Sequence, residues 1–98
     1  MKKNLGLLVR IIAKPGKEQA VSDFLTSALP LALGEPDTIS WYAIRIDEQT
    51  FGVFDTFHGE EGRQAHLAGP IANALMANAA ELLAAPPSIE PITILAAK

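Results

Sequence analysis

The chain has 98 residues, enough for one domain spanning 1–98 and too few for a second. Hydrophobic residues make up 49% and charged ones 19%, which excludes intrinsic disorder; the lack of cysteine excludes a disulfide scaffold, a Cys-ligated zinc and a thiol nucleophile. Eight Lys and Arg against eleven Asp and Glu give a net charge of −3, with the basic residues scattered, so nucleic acid is not an expected partner.

The start, Met1 to Leu5, imitates a signal peptide, but Arg10 interrupts the apolar run and Lys14-Pro15-Gly16-Lys17 stands where a cleavage site should lie. The stretch from Gln64 to Ala80 carries no formal charge, yet it holds His66, Pro70, Asn73 and Asn78 and is short for a membrane span. The expectation is a soluble cytoplasmic protein with no membrane partner. Residues 5–13 are apolar and rich in branched side chains, a strand buried on both faces, which Pro15 and Gly16 end. Val21, Phe24, Leu25, Ala28 and Ala32 then recur at helical spacing, with Pro30 breaking or kinking the helix because its nitrogen carries no proton.

After a Gly34-Glu35-Pro36-Asp37 loop, residues 38–47 and 50–57 are β-branched and aromatic, and their short connector predicts an antiparallel hairpin. A second helix opens near Gly59 with acidic residues at its positive end, is interrupted at Gly69, resumes at Pro70 and stops at Pro86-Pro87. Residues 89–97 supply a last strand, with Pro91 favouring an edge position. The order β-α-β-β-α-β predicts an α+β, ferredoxin-like fold: an antiparallel sheet with both helices on one face. Alternation puts Leu7, Val9 and Ile11 on one side of strand 1 and Leu8 and Ile12 on the other. Strand 2 likewise divides Trp41 from Tyr42, Ile44 and Ile46. Two helices cover one face, so the other needs a cover of its own. A second copy of the chain, making a homodimer, is the simplest.

Ala13-Lys14-Pro15-Gly16-Lys17-Glu18, the Gly34-Glu35-Pro36 loop before Trp41-Tyr42, and Phe51-Gly-Val-Phe-Asp-Thr-Phe57 followed by Ala65-His66-Leu67 occur in one order along nearly the whole chain. In that order they resemble the antibiotic-biosynthesis-monooxygenase-like (ABM-like) domains of the dimeric α+β barrel superfamily. Departures are Asp55, where that family more often has Glu, and Phe57, where Trp or Tyr is common. Gly62 and Gly69-Pro70 are expected to loosen the second helix.

The resemblance implies a monooxygenase that needs no cofactor and oxidises an aromatic hydroxyl or quinol with dioxygen. The substrate supplies the electrons once it has lost a proton, so the protein must offer a base, a dry cavity and a donor for the anion. His66 is the candidate base, its ordinary pKa lying near neutrality. The competing reading is a half-buried imidazole that hydrogen-bonds a carbonyl and packs helix on sheet. Trp41 and Phe57 are candidates for shaping an apolar substrate pocket for a small aromatic molecule. Tyr42 is a further candidate contact, although Trp41 and Tyr42 point to opposite faces. Arg10 and Arg45, charges inside apolar strands, either bind an anion or pair with Asp47 or Asp55. His58 reads as a helix-start residue. Two histidines eight positions apart make no helical ligand pair, so no metal is expected. Two alternatives stand beside the oxygenase: a non-catalytic dimeric module that binds a small ligand, and, ranked lower, haem degradation through His66.

Overall fold

A computed structural model describes residues 4–98; the charged start Met1–Lys3, read above as part of a signal-like segment, lies outside the described residues. The elements are β1 (Leu5–Ile12), α1 (Glu18–Ser27), α2 (Leu29–Leu33), β2 (Thr38–Arg45), β3 (Thr50–Phe57), α3 (Glu60–Leu67), α4 (Pro70–Leu82) and β4 (Ser88–Thr93). The strands form one antiparallel sheet in the order β2-β3-β1-β4. This is the ferredoxin-like α+β arrangement that the sequence predicts.

Each expected helix is in fact a pair. The first breaks at Ala28, with Pro30 in the opening turn of α2, where its missing N–H costs no helical hydrogen bond. The second breaks at Gly69, and Pro70 is the first residue of α4. Pro91 sits in β4, an edge strand, and that strand ends at Thr93 rather than running to residue 97. Gly16 turns the chain after β1 at a φ of +87°, a conformation open to glycine and strained for other residues.

The core lies between the sheet and the helices. Leu7, Val9 and Ile11 of β1 alternate inward, as do Phe51, Val53 and Phe57 of β3; Val9, Ile11, Phe51 and Val53 cluster with Val21 and Leu25 of α1. The outward-facing set of the same strands is different. Leu8, Tyr42, Ile44, Phe54 and Ile92 share the open face, and Tyr42 stacks on Phe54 with ring centroids 6.2 Å apart. Ile12 and Ile44 are 45% and 37% exposed, so β1 is buried on one face only, contrary to the reading of a strand covered on both. Among the described residues no helix shields Tyr42, which is 55% exposed on this face.

Candidate functional site

The site is built where α3 crosses the loop that leads into β2. Gly62 makes the crossing close: a β-carbon there would lie 2.8 Å from Asp37 Cβ and 3.1 Å from Asp37 O. The residue expected to loosen the helix is thus the one that lets it seat against the loop. The His58 amide donates to Asp37 O (3.1 Å), joining the end of β3 to the same loop. Arg63, buried but for its edge, donates from Nη1 to the carbonyls of Gly6 (3.1 Å) and Ile92 (3.4 Å) and pairs with Glu60. It fastens α3 to the end of the β1–β4 ladder.

One turn after Gly62 and Arg63 on that helix is His66, 7% exposed and facing the sheet. Its Nδ1 lies 2.8 Å from Glu35 Oε1 and its Nε2 lies 3.0 Å from Asp55 Oδ2. The first contact is a hydrogen bond. The second is an ion-pair contact whose alignment falls short of one, so both oxygens of Asp55 lack an aligned donor. Phe57 packs against the imidazole, centroids 5.3 Å apart. Glu35 Oε1 also accepts from Thr38 Oγ1 (2.7 Å), whereas Glu35 Oε2 is buried without a partner.

These groups perturb one another. Burial pulls the His66 pKa down, but the Asp55 and Glu35 carboxylates outweigh it, and the net shift is upward from 6.5. Asp55 is fully buried; desolvation pushes its pKa above 3.8, His66 opposes that, and the charge of Glu35 adds to it. The imidazole therefore holds its proton between two carboxylates, and the buried one also takes a proton more readily than a free aspartate.

Two clefts adjoin this chain of groups and share Glu35 and Thr38 in their walls. The larger, about 360 Å³ and mostly apolar, is bordered by Pro30, Leu31, Glu35, Ala65, His66 and Pro70. The smaller, about 160 Å³, is bordered by Leu29, Ala32, Leu33, Glu35, Thr38 and Trp41. Trp41 packs on the core, and its indole Nε1 is buried without an acceptor.

Of the residues singled out in the sequence, His66 and Phe57 meet in the site and Trp41 borders the smaller cleft. Tyr42 and Arg10 lie on the open face of the sheet, away from both clefts. Arg45 does not pair with Asp55: its guanidinium sits over the Phe51 ring (4.9 Å) and donates to the carbonyls of Asp47 and Glu48. Sequence reasoning missed Glu35 and Arg63 and gave Asp55 the wrong partner. The parity of β3 carries a signal for Asp55, because it alternates with Phe51, Val53 and Phe57 and so must face the core. No group of three or more His, Asp or Glu side chains among the described residues converges so as to hold a metal ion.

The same architecture recurs in solved structures. A protein from Nitrosomonas europaea provisionally named an antibiotic biosynthesis monooxygenase matches with a TM-score of 0.83 at 14% identity, over 97% of this chain and 93% of that one. PA3566 from Pseudomonas aeruginosa matches with a TM-score of 0.83 at 19% identity, over 98% of both chains. The fold is that of the ABM-like proteins. Much nearer in sequence is NE2512, a protein of unknown function from Nitrosomonas europaea, 60% identical over 97% of this chain and 92% of that one, with a TM-score of 0.95. The chain belongs to the family of that protein. Neither a family model nor a curated protein matches the sequence.

Proposed function

We propose that the chain is a monooxygenase for a small aromatic hydroxyl or quinol, bound against Glu35 where the two clefts meet. The observation that carries this reading is the buried Glu35–His66–Asp55 chain, whose Glu35 and His66 line an apolar cleft and whose Glu35 Oε2 is buried without a partner. Both nitrogens of His66 are taken by carboxylates, so the atom free to accept a substrate proton is Glu35 Oε2, and His66 orients that carboxylate through Oε1. The substrate O–H bond breaks, a Glu35 Oε2–H bond forms, and His66 keeps its own proton between the two carboxylates. The substrate anion then supplies electrons to dioxygen. For an anthrone-type substrate, one oxygen atom replaces the two hydrogens of the activated methylene as a quinone carbonyl and the other leaves as water.

The open sheet face belongs to the same reading. A second copy covers Leu8, Tyr42, Ile44, Phe54 and Ile92, each apolar side chain contributing about 1.5–3 kcal/mol when fully buried. The exposed apolar side chains of this face, Tyr42 and Ile44 among them, support a homodimer.

Oxygen uptake against a panel of anthrones and hydroquinones tests the activity. Uptake by the wild type that Glu35→Gln abolishes is expected. Saturable binding without oxygen consumption replaces the oxygenase by a ligand-binding module.

A further inference from the structure

Arg10, a charge inside an apolar strand, takes no part in the site. Its register partners are Gly52 on β3 and Ser88 on β4, and its side chain shares the open face with Leu8 and Ile12. On β4 the register sets Glu90 opposite Leu8, so Glu90 lies on the same face as a diagonal neighbour of Arg10. Among the strand residues of that face these are the one cation and the one anion; the others are apolar, glycine or hydroxyl-bearing. Both are exposed, and among the described residues neither is in an ion pair; the Glu90 carboxylate accepts a 3.4 Å hydrogen bond from Ser88 Oγ. The β3 side of Arg10 has no anion to offer, since Gly52 lacks a side chain and Ile44 leans over it, 3.5 Å from where a β-carbon would stand.

A surface that covers this face takes water away from Arg10, and a guanidinium desolvated without a counter-charge is strongly disfavoured. A cover of low cost therefore brings a carboxylate to Arg10 and a cation to Glu90. A second copy meets both needs with the same two residues, because in a two-fold interface every contact between two different residues occurs twice, once in each direction. We propose that the homodimer is held in register by two symmetry-related ion pairs, Arg10 of each copy with Glu90 of the other. They stand beside the row of Tyr42, Phe54 and Leu8 that the sheet lines up with Glu90. The apolar side chains drive association but slide over one another at little cost. The charges select one position and penalise any arrangement that sets like charges together. The inference rests on the homodimer of the proposed function and names what orients it.

The test exchanges the charges one chain at a time, with association of the full chain followed by analytical ultracentrifugation. Arg10→Glu and Glu90→Arg each set like charges together at both contacts of a homodimer, and each is expected to raise the dissociation constant at least about tenfold. Mixed in equal amounts, the two variants bring opposite charges to both contacts. They should then form a one-to-one heterodimer, read by native mass spectrometry, about as tight as the wild-type dimer. That rescue cannot come from a pair within one chain, since each variant has like charges at positions 10 and 90. Lys17→Glu mixed with Glu81→Lys makes the same changes of net charge at an exposed pair on the helices, and should favour no heterodimer. Arg10→Gln and Glu90→Gln should weaken association less than the reversals do and flatten its salt dependence. A wild-type dimer indifferent to both reversals, or reversals mended within one chain and not by mixing, overturns the ion pairs and leaves the homodimer standing. A wild type that stays monomeric at micromolar concentration overturns both.

Discussion

Removing the imidazole at position 66 leaves two carboxylates facing each other in the interior. Asp55 is 0% exposed, and among the described residues the one cation within 3.0 Å of it is His66; Glu35, 16% exposed, loses its Nδ1 donor at the same time. Breaking a buried ion pair by deleting one partner costs about 3–5 kcal/mol, because the remaining charge has no compensation. Water entering from the larger cleft offsets part of this, so the low end applies to His66→Ala, about 3 kcal/mol. For a chain of this length that is a fall of roughly 15 °C in Tm. The assay is thermal unfolding near pH 6, at one fixed protein concentration so that subunit association does not move the midpoint. Asp55→Asn in the His66→Ala background removes the stranded charge while keeping the shape, and should recover about half of the loss. A His66→Ala midpoint within about 3 °C of wild type, or a double variant no more stable than the single, refutes the picture of a desolvated chain of charges.

The same shifts fix the sign of the pH dependence. His66 has a folded pKa above 6.5, so its contribution is complete below that value and is lost as pH rises through the folded pKa; Asp55, raised above 3.8, acts in the same sense over its own range. Unfolding midpoints should therefore fall as the solution is made alkaline through the folded His66 pKa, and His66→Gln should flatten the profile; a midpoint that climbs over that range contradicts the assignment. Gly62→Ala raises helix propensity by up to about 1 kcal/mol, but its methyl meets Asp37 at 2.8 Å, an overpacking cost of about 1–3 kcal/mol. A lowered urea midpoint and a shifted His66 imidazole resonance are expected, and an unchanged midpoint would show that the loop yields freely. Phe54→Asp, on the open face beneath Tyr42, should give a monomer by light scattering where the wild type gives a dimer, with the helix-side core intact by circular dichroism.

Periodicity and punctuation carried most of the architecture. The prolines at 30, 70 and 91 each mark a feature that the backbone realises, because a residue with no N–H is tolerated only at helix starts and sheet edges. The open apolar face was likewise visible as strands with hydrophobic residues at both parities. The site was only partly visible, for a topological reason. Glu35 is a loop residue 31 positions before His66, and nothing in its neighbours Gly34 and Pro36 distinguishes a buried carboxylate from a solvated turn. The arginine partner expected for Asp55 fails for two reasons: Arg10 points to the open face and Asp55 to the core, while Arg45, on the same face as Asp55, sits opposite Phe51 and is held over that ring.

What remains to be explained is why a domain this small keeps three ionisable groups where apolar side chains would pack. A buried ion pair is weak as a source of stability, and apolar replacements of similar volume are often neutral or better by about 1–4 kcal/mol. Stability alone therefore gives no reason for His66 and Asp55 to stand between Phe57 and Trp41, nor for Glu35 to leave one oxygen unpaired. The three groups come from a loop, a strand and a helix, and Gly62 and Arg63 hold that helix at the distance which joins them. A proton-holding chain of this kind, with Glu35 and His66 lining a cleft, is what the proposed function asks of the core.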